Sequence, residues 1–311
     1  MSRKRYVAYR LAWTAVGAWA VLTLIFIVFD LVPDPGQYNI FNGMSAEQYR
    51  EMRGYDQPLL QRYLSWMVGF LTLDLGTTIY GNSVSAELAS AAKVTLTYAV
   101  PSVVLGVTVG VGAGLLGAVD PDGKATRLVK GISYVGFAIP TFIAADAMFF
   151  FAQEHLQVFG VQYDSEVGLY TIRNLQALLL PAIVLTVNVL AVQLRYARTE
   201  STEVLQEDFV RTLRASGAGT LTLVRHVLRN VASSLMALFV SELVGVVFVV
   251  LVVIEVIFGV PGFGTLLYDA IHERDIGLIL GTTVLPIVLV MVGNLIQDVA
   301  HAIIDPRVEA E

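Results

Sequence analysis

The chain has 311 residues, of which 56% are hydrophobic and only 15% are charged, and its formal net charge is −6. A soluble domain carries about 25% charged residues, so the composition excludes an ordinary water-soluble protein and indicates one that lies in membrane lipid. The sequence contains no cysteine, which excludes disulfide bonds and thiolate chemistry.

Six apolar runs are long enough to cross a bilayer. A hydrocarbon core of about 30 Å requires about 20 apolar residues in a helix. The runs cover residues 11–29, 94–119, 131–153, 175–194, 231–259 and 276–297. They predict an all-α polytopic protein with six transmembrane helices, forming a single transmembrane domain over residues 1–311. A cleaved signal peptide is the alternative for the first run, but its core would be about 7–15 residues long.

The basic residues predict the orientation. Lysine and arginine are enriched in cytoplasmic loops. If the N-terminus is cytoplasmic, 14 of the 20 basic residues lie on the inner side and 6 on the outer side. We therefore expect both termini in the cytoplasm, an extracytoplasmic segment at 33–92 and a cytoplasmic segment at 195–230.

The extracytoplasmic segment contains two helix signals. Ser45 followed by Gln48 is a capping box, which starts a helix. The stretch "QPLLQRYLSWMVGFL" is amphipathic with a proline near its start, and it predicts a helix lying on the outer membrane surface. The acidic residues of this segment predict a solvated acidic face. Adaptation to high salt is the alternative explanation of the acidic composition.

A glycine stripe marks the second run. Gly106, Gly110 and Gly114 recur every four residues, which favours close packing of this helix against a neighbour. The stretch "GAGLLG" at 112–117 also fits the dinucleotide pattern, but that pattern requires a strand before it and a helix start after it. The chain has no phosphate-binding loop motif, and its four histidines show no metal-ligand spacing. We expect no catalytic residue, no metal and no cofactor in this chain.

Three carboxylates fall within apolar runs. Ionisable side chains at membrane depth are functional candidates by default. Glu242 lies near the middle of the fifth run, Glu255 near its outer end, and Asp146 toward the outer end of the third. Each is a candidate for the transport path or for a structural contact with a neighbouring helix. For Glu242 the sequence favours neither role over the other. Glu255 precedes the tight turn "FGVPGFG", and for it a structural contact is favoured.

One short charged element, "DFVRTLRASG" at 208–217, stands between two long apolar runs. Asp208 is the predicted N-cap, and Gly217 fits the left-handed residue that follows a helix end. The sequence predicts one apolar face, with two arginines turned away from it. That face would contain Phe209, Val210 and Leu213, and the arginines are Arg211 and Arg214. The predicted element is a short cytoplasmic helix joined rigidly to the fifth spanning helix.

Together these stretches resemble the permease subunits of ATP-binding cassette importers. More narrowly, the chain resembles the dipeptide/oligopeptide/nickel permease family in its first-subunit branch. The resemblance spans nearly the whole chain. It rests on "GYDQPLLQRYLSWMVGFLTLDLGTT", "DFVRTLRASG" with "VRHVLRN", "VIEVIFGVPGFGTLLYDAI" and "NLIQDVAHAIIDPR".

The resemblance implies a plasma-membrane transport subunit. The helix at 208–217 would couple it to an ATPase through Asp208, Phe209, Val210, Arg211, Leu213, Arg214, Ala215 and Gly217. The implied partners are a second, non-identical permease, two ATP-binding cassette ATPases that hold ATP and Mg²⁺, and an extracytoplasmic binding protein that delivers peptides or similar solutes. No nucleic-acid partner is expected. The alternatives are a stand-alone secondary transporter or channel that uses the intramembrane carboxylates, and a membrane-embedded hydrolase, for which no nucleophile–base pair is placed.

Overall fold

The computed structural model describes residues 3–32, 45–124, 126–127, 131, 134, 138–155 and 162–304. In chain order the helices are α1 (Arg3–Leu31), α2 (Ala46–Met52), α3 (Leu59–Thr72), α4 (Val84–Val119), α5 (Thr141–His155), α6 (Ile172–Ala177), α7 (Leu179–Val204), α8 (Asp208–Ala215), α9 (Thr220–Gly245), α10 (Leu251–Phe258), α11 (Phe263–Glu273) and α12 (Ile276–Ile304). A π-helical turn, Val246–Val250, joins α9 to α10. No strand forms in this part of the chain, so the all-α prediction is confirmed there.

Among the residues that the structure describes, five helical stretches are long and apolar enough to cross a membrane. They are Val7–Leu31, Val84–Val119, Ile172–Val204, Thr220–Phe258 and Ile276–Val299, and they coincide with five of the six predicted runs. The remaining run, 131–153, lies partly outside the described residues. Its described helix, α5, has 15 residues, fewer than the about 20 that a span requires. The sixth span and the orientation of the termini stay predictions.

The contacts of the chain divide it into two compact units. The first comprises Met1–Val94 and Pro261–Glu311, and the second comprises Thr95–Val260. In the first unit α1 packs along α12, and α11 also packs on α12. Arg10 on α1 forms an ion pair with Asp298 on α12 at 3.2 Å. The first and last long helices of the chain are therefore neighbours within one unit.

The helix α3 is fastened to α1 by polar and aromatic contacts. Arg62 is ion-paired with Asp30, and the hydroxyls of Tyr63 and Thr23 lie 2.7 Å apart. The Phe26 ring meets the rings of both Tyr63 and Trp66. On the other side of α3 is an exposed apolar stripe of Leu60, Leu64, Val68 and Leu71. The predicted amphipathic helix is thus confirmed, and its position on the membrane surface stays a prediction.

The capping box before α2 is also confirmed. The Ser45 N–H donates to Gln48 Oε1 at 2.9 Å, and the Gln48 N–H donates to Ser45 Oγ at 3.3 Å. This reciprocal pair satisfies two N–H groups that have no partner within a helix. Local sequence is therefore sufficient to start α2.

In the second unit α7 is the central helix, and α5, α6, α9 and α10 pack on it. The stripe of Gly106, Gly110 and Gly114 on α4 faces α7. A β-carbon added at any of the three would come within 2.6–2.9 Å of an atom of α7. The predicted close helix packing is confirmed, because only hydrogen at these positions allows the two backbones to approach so closely.

Candidate coupling surface and buried carboxylates

The helix α8 begins one residue earlier than the sequence predicts. Glu207 occupies the N-cap position, with an extended backbone (φ −67°, ψ 150°), and Asp208 is already the first helical residue. The Asp208 side chain therefore makes no cap hydrogen bond, and the N-cap prediction for Asp208 is wrong. Its carboxylate instead lies 3.3 Å from Nη1 of Arg211. Both side chains are strongly exposed, so this ion pair adds little stability.

The end of α8 has the geometry that the sequence predicts. Gly217 has a φ of +78°, in the left-handed region. The Gly217 N–H donates to the carbonyl of Arg214, and the Ala218 N–H donates to that of Leu213, both at 3.0 Å. These two bonds form a Schellman motif, in which a residue without a β-carbon reverses the chain. Gly217 thus ends α8 sharply and redirects the chain into α9.

The apolar residues of α8 divide between two faces. Val210 is 1% exposed and packs inside the chain, whereas Phe209 is 38% exposed. Leu213 is half-buried, and Arg211, Arg214 and Ala215 are exposed. The expectation that Val210 shares the outward apolar face is wrong, because consecutive helical residues point about 100° apart. Phe209 and Leu213, about 40° apart, remain as the outward apolar pair.

Short connections tie α8 to two spanning helices. Residues 205–207 join it to α7, and residues 216–219 join it to α9. The helices α7 and α9 pack on each other around a buried apolar cluster of Leu115, Ala197, Val227, Val231 and Leu235, against which Val204 and Leu205 also pack. The connections of α8 to α7 and α9 are therefore only three and four residues long.

Glu242 on α9 is half-buried and contacts α7. The hydroxyl of Tyr196 donates to its Oε1 at 3.2 Å. The Glu242 side chain also borders a cavity of about 320 Å³, whose lining includes the polar residues Asn188 and Gln193. Sequence reasoning singled out Glu242 and missed Asn188 and Gln193, which lie five residues apart in the run 175–194, and Tyr196, which follows that run.

Glu255 on α10 is fully buried. Thr95 Oγ1 donates to its Oε1 at 2.6 Å, and the hydroxyl of Tyr98 donates to the same oxygen at 2.9 Å. Hydrogen bonds of this kind stabilise a carboxylate that has left water. Gly259, four residues on, has a φ of +64° and ends α10. The contacts favour a structural role for Glu255, whose side chain links α10 to α4.

Asp146 lies on α5 and is exposed in this chain. It is therefore not brought together with Glu242 or Glu255 as one ion site. The three carboxylates occupy different settings: an exposed surface, a cavity wall and a closed hydrogen-bonded core. The prediction that Asp146 contributes to a transport path or to a contact stays a prediction.

The first unit contains a buried acidic residue that the sequence analysis did not identify. Asp275 is 0% exposed and accepts hydrogen bonds from the N–H groups of Ile79 at 2.7 Å and Leu278 at 3.1 Å. Nη2 of Arg53, from the segment between α1 and α4, lies 3.3 Å from its Oδ1. Asp275 therefore caps α12 and fastens Arg53 and Ile79 to it. An aspartate before an apolar helix is a helix-start signal that could have revealed the cap, but not the contact with Arg53.

Acidic side chains also determine the electrostatics beside this cap. The pKa of the Tyr80 hydroxyl is raised, chiefly by the negative charge of Glu273 and to a smaller extent by partial burial, a hydrogen bond to Glu273 and the charge of Asp275. Tyr80 therefore stays neutral across the physiological pH range and can act as a hydrogen-bond donor there.

Comparisons with known proteins identify relatives of the chain. A family model described as "Binding-protein-dependent transport system inner membrane component" matches residues 106–310. The oligopeptide transport system permease protein AppB of Bacillus subtilis is 33% identical, over 85% of this chain and 84% of that protein. A putative peptide permease protein of Brucella ovis is 29% identical, over 98% of this chain and 99% of that protein. The metal-staphylopine import system permease protein CntB of Staphylococcus aureus is 30% identical, over 88% of this chain and 85% of that protein.

Proposed function

The chain belongs to the family of binding-protein-dependent transport system inner membrane components, and we propose that with a second, related permease it forms the path by which peptides cross the plasma membrane. It is a permease subunit of an ATP-binding cassette importer and a multi-pass membrane protein. The observation that carries the proposal is the family match over 106–310, a range that includes α7, α8 and α9.

Peptides are the proposed cargo because two of the relatives above are named as oligopeptide or peptide permeases. A third is named for a metal–staphylopine complex, so a small chelate is the second candidate. An extracytoplasmic binding protein would deliver the solute to the segment 33–92. Selection between peptide and chelate would then depend on that protein as well as on this chain.

Coupling to ATP is assigned to α8 and its two ends. Phe209 and the outward part of Leu213 would enter a groove of an ATPase subunit, with Arg211 and Arg214 orienting the contact. Val210, buried inside the chain, would hold α8 in place. ATP and Mg²⁺ would be bound by two ATPase subunits, and this chain would catalyse no reaction itself. ATP binding can shift the permease between its states only by its different affinity for each of them.

Purification of the chain with and without its co-expressed neighbours tests this proposal. ATP hydrolysis and ATP-dependent uptake of a labelled peptide should occur only in the assembled complex in proteoliposomes, and should rise with loaded binding protein. Phe209→Asp, alone or with Leu213→Asp, should lower coupled hydrolysis, because a buried unpaired charge opposes docking.

The matched control is Val167→Asp, since Val167 is also 38% exposed and lies outside α8. Uptake by the chain without any ATPase would instead support a secondary transporter. Full coupled hydrolysis by the Phe209→Asp variant would exclude α8 as the ATPase contact.

A further inference from the structure

The cavity beside Glu242 lies entirely within the second unit. Its volume of about 320 Å³ is at the small end of the range of ligand pockets, which is about 300–1,000 Å³. Its wall is formed by Val103 on α4, by residues of α7 and α9, and by the π-helical turn Val246–Val250. Most of this wall is apolar, and three polar side chains interrupt it: Asn188, Gln193 and Glu242.

The polar side chains of the wall offer hydrogen-bond acceptors to the cavity. Within the described residues Glu242 is bonded by Tyr196 at Oε1, which leaves Oε2 to accept. The Asn188 amide nitrogen donates to Thr141 Oγ1 at 2.9 Å, so its carbonyl oxygen is an acceptor. Gln193 is 2% exposed and borders the cavity, and its side-chain amide adds a further carbonyl acceptor to the wall.

The charge of the wall specifies which ligand fits. One carboxylate with two neutral amides matches a single positive charge that carries several N–H donors, as a primary ammonium does. A divalent metal would require several charged or imidazole ligands. Among the described residues no group of three or more His, Cys, Asp and Glu is placed to supply them.

The helix geometry keeps the cavity open. Gly245 ends α9, and the π-helical turn Val246–Val250 follows it along the same wall. A β-carbon added at Gly245 would meet no atom within 4 Å, so this position borders open space. Single π turns within α-helices often occur at functional sites, because the extra residue widens the helix and redirects its side chains.

We propose that this cavity is a subsite for the primary ammonium group of the transported solute, held by the Glu242 carboxylate with the amides of Asn188 and Gln193. The proposal rests on the transport function proposed above and specifies the cargo further, as a cation with an apolar body. The apolar remainder of the wall would contact the carbon chain beside the ammonium group. A carboxylate near the middle of a spanning helix is costly to place in lipid, and a cationic cargo explains its presence.

Photolabelling of the assembled complex, without the binding protein, tests the subsite directly. The probes are a primary alkylamine that carries a diazirine and the N-acetyl derivative of the same compound. In the wild type the amine should label cavity residues such as Val103 and Val249 about tenfold more than the acetylated probe, the factor expected for a charge-assisted hydrogen bond. Glu242→Gln should reduce amine labelling to the acetylated level, and Gln193→Leu should reduce it in part.

Glu154→Gln is the matched control, because Glu154 lies at the end of α5 with its side chain 80% exposed. Its labelling should equal that of the wild type. Gel filtration of each variant complex establishes that it has assembled. Equal labelling by the two probes, or amine labelling unchanged in Glu242→Gln, would overturn the subsite. ATP-dependent uptake by the same wild-type complex is measured in parallel, so loss of the transport proposal and loss of the subsite give different results.

Discussion

At the scale of single residues, Gly217 determines how α8 ends. Its φ is +78°, and a β-carbon built on it would meet no atom within 4 Å. The cost of a larger residue is therefore backbone strain and not crowding. The left-handed conformation costs an ordinary residue about 1–2 kcal/mol, and a β-branched one is a steric outlier there.

We expect Gly217→Val to lower coupled ATP hydrolysis and peptide uptake while the complex still assembles. The reason is that strain at this position should change the direction of α8 relative to α9. Gly219→Ala is the control, because Gly219 has a φ of −72° and also has open space around it. Uptake by Gly217→Val equal to that of the control would show that the turn is not required.

Glu255 supplies a second prediction at this scale. Replacement by leucine removes the acceptor of the Thr95 and Tyr98 hydroxyls inside a closed core. A buried polar group that loses its hydrogen-bond acceptor costs about 1–3 kcal/mol. Glu255→Leu should therefore lower the thermal unfolding midpoint of the detergent-solubilised complex clearly more than Glu255→Gln, which keeps the volume and a carbonyl acceptor. An unchanged midpoint in the leucine variant would argue against a structural role.

At the scale of helices, the approach of α4 to α7 depends on individual glycines. A β-carbon at Gly114 would lie 2.6 Å from the carbonyl oxygen of Leu194 and 2.7 Å from Cβ of Ala197. One at Gly112, two residues away on the same helix, would meet no atom within 4 Å. The two positions form a matched pair that separates packing from helix propensity.

Gly114→Ala should destabilise the complex by about 1–3 kcal/mol, the usual cost of overpacking. Gly112→Ala should be neutral or slightly stabilising, since alanine favours a helix over glycine by up to about 1 kcal/mol. Thermal unfolding of the two purified variants measures the difference. If both variants unfold at the same temperature, α4 and α7 can move apart without loss of stability, and the glycines are not required for their packing.

At the scale of the whole molecule, the topology is the largest untested prediction. Ser45 and Gln206 are both exposed, and the chain has no cysteine, so a single cysteine placed at either position is unique. Ser45→Cys should react with a membrane-impermeant maleimide in intact cells. Gln206→Cys should react only after the cells are permeabilised. Reaction of Gln206→Cys in intact cells would reverse the proposed orientation of α8 and exclude its contact with a cytoplasmic ATPase.

Sequence alone determined the features that depend on local chemistry. The lengths of the apolar runs located the five long helices, and glycine spacing along α4 located its close contact. The left-handed glycine that ends α8 and the capping box that starts α2 were likewise readable. Each of these depends on a helix period, a run length or a backbone preference within a few residues, which is the information that a single sequence carries.

Tertiary structure alone decided which side chains meet across long separations. Asp275 contacts Arg53, which is 222 residues away in the sequence, and Glu255 contacts Thr95, which is 160 residues away. No local sequence pattern links the members of either pair. The burial of Val210 depends in the same way on neighbours outside α8. Periodicity gives the relative directions of side chains on a helix, but the position of the neighbouring helices decides which direction is buried.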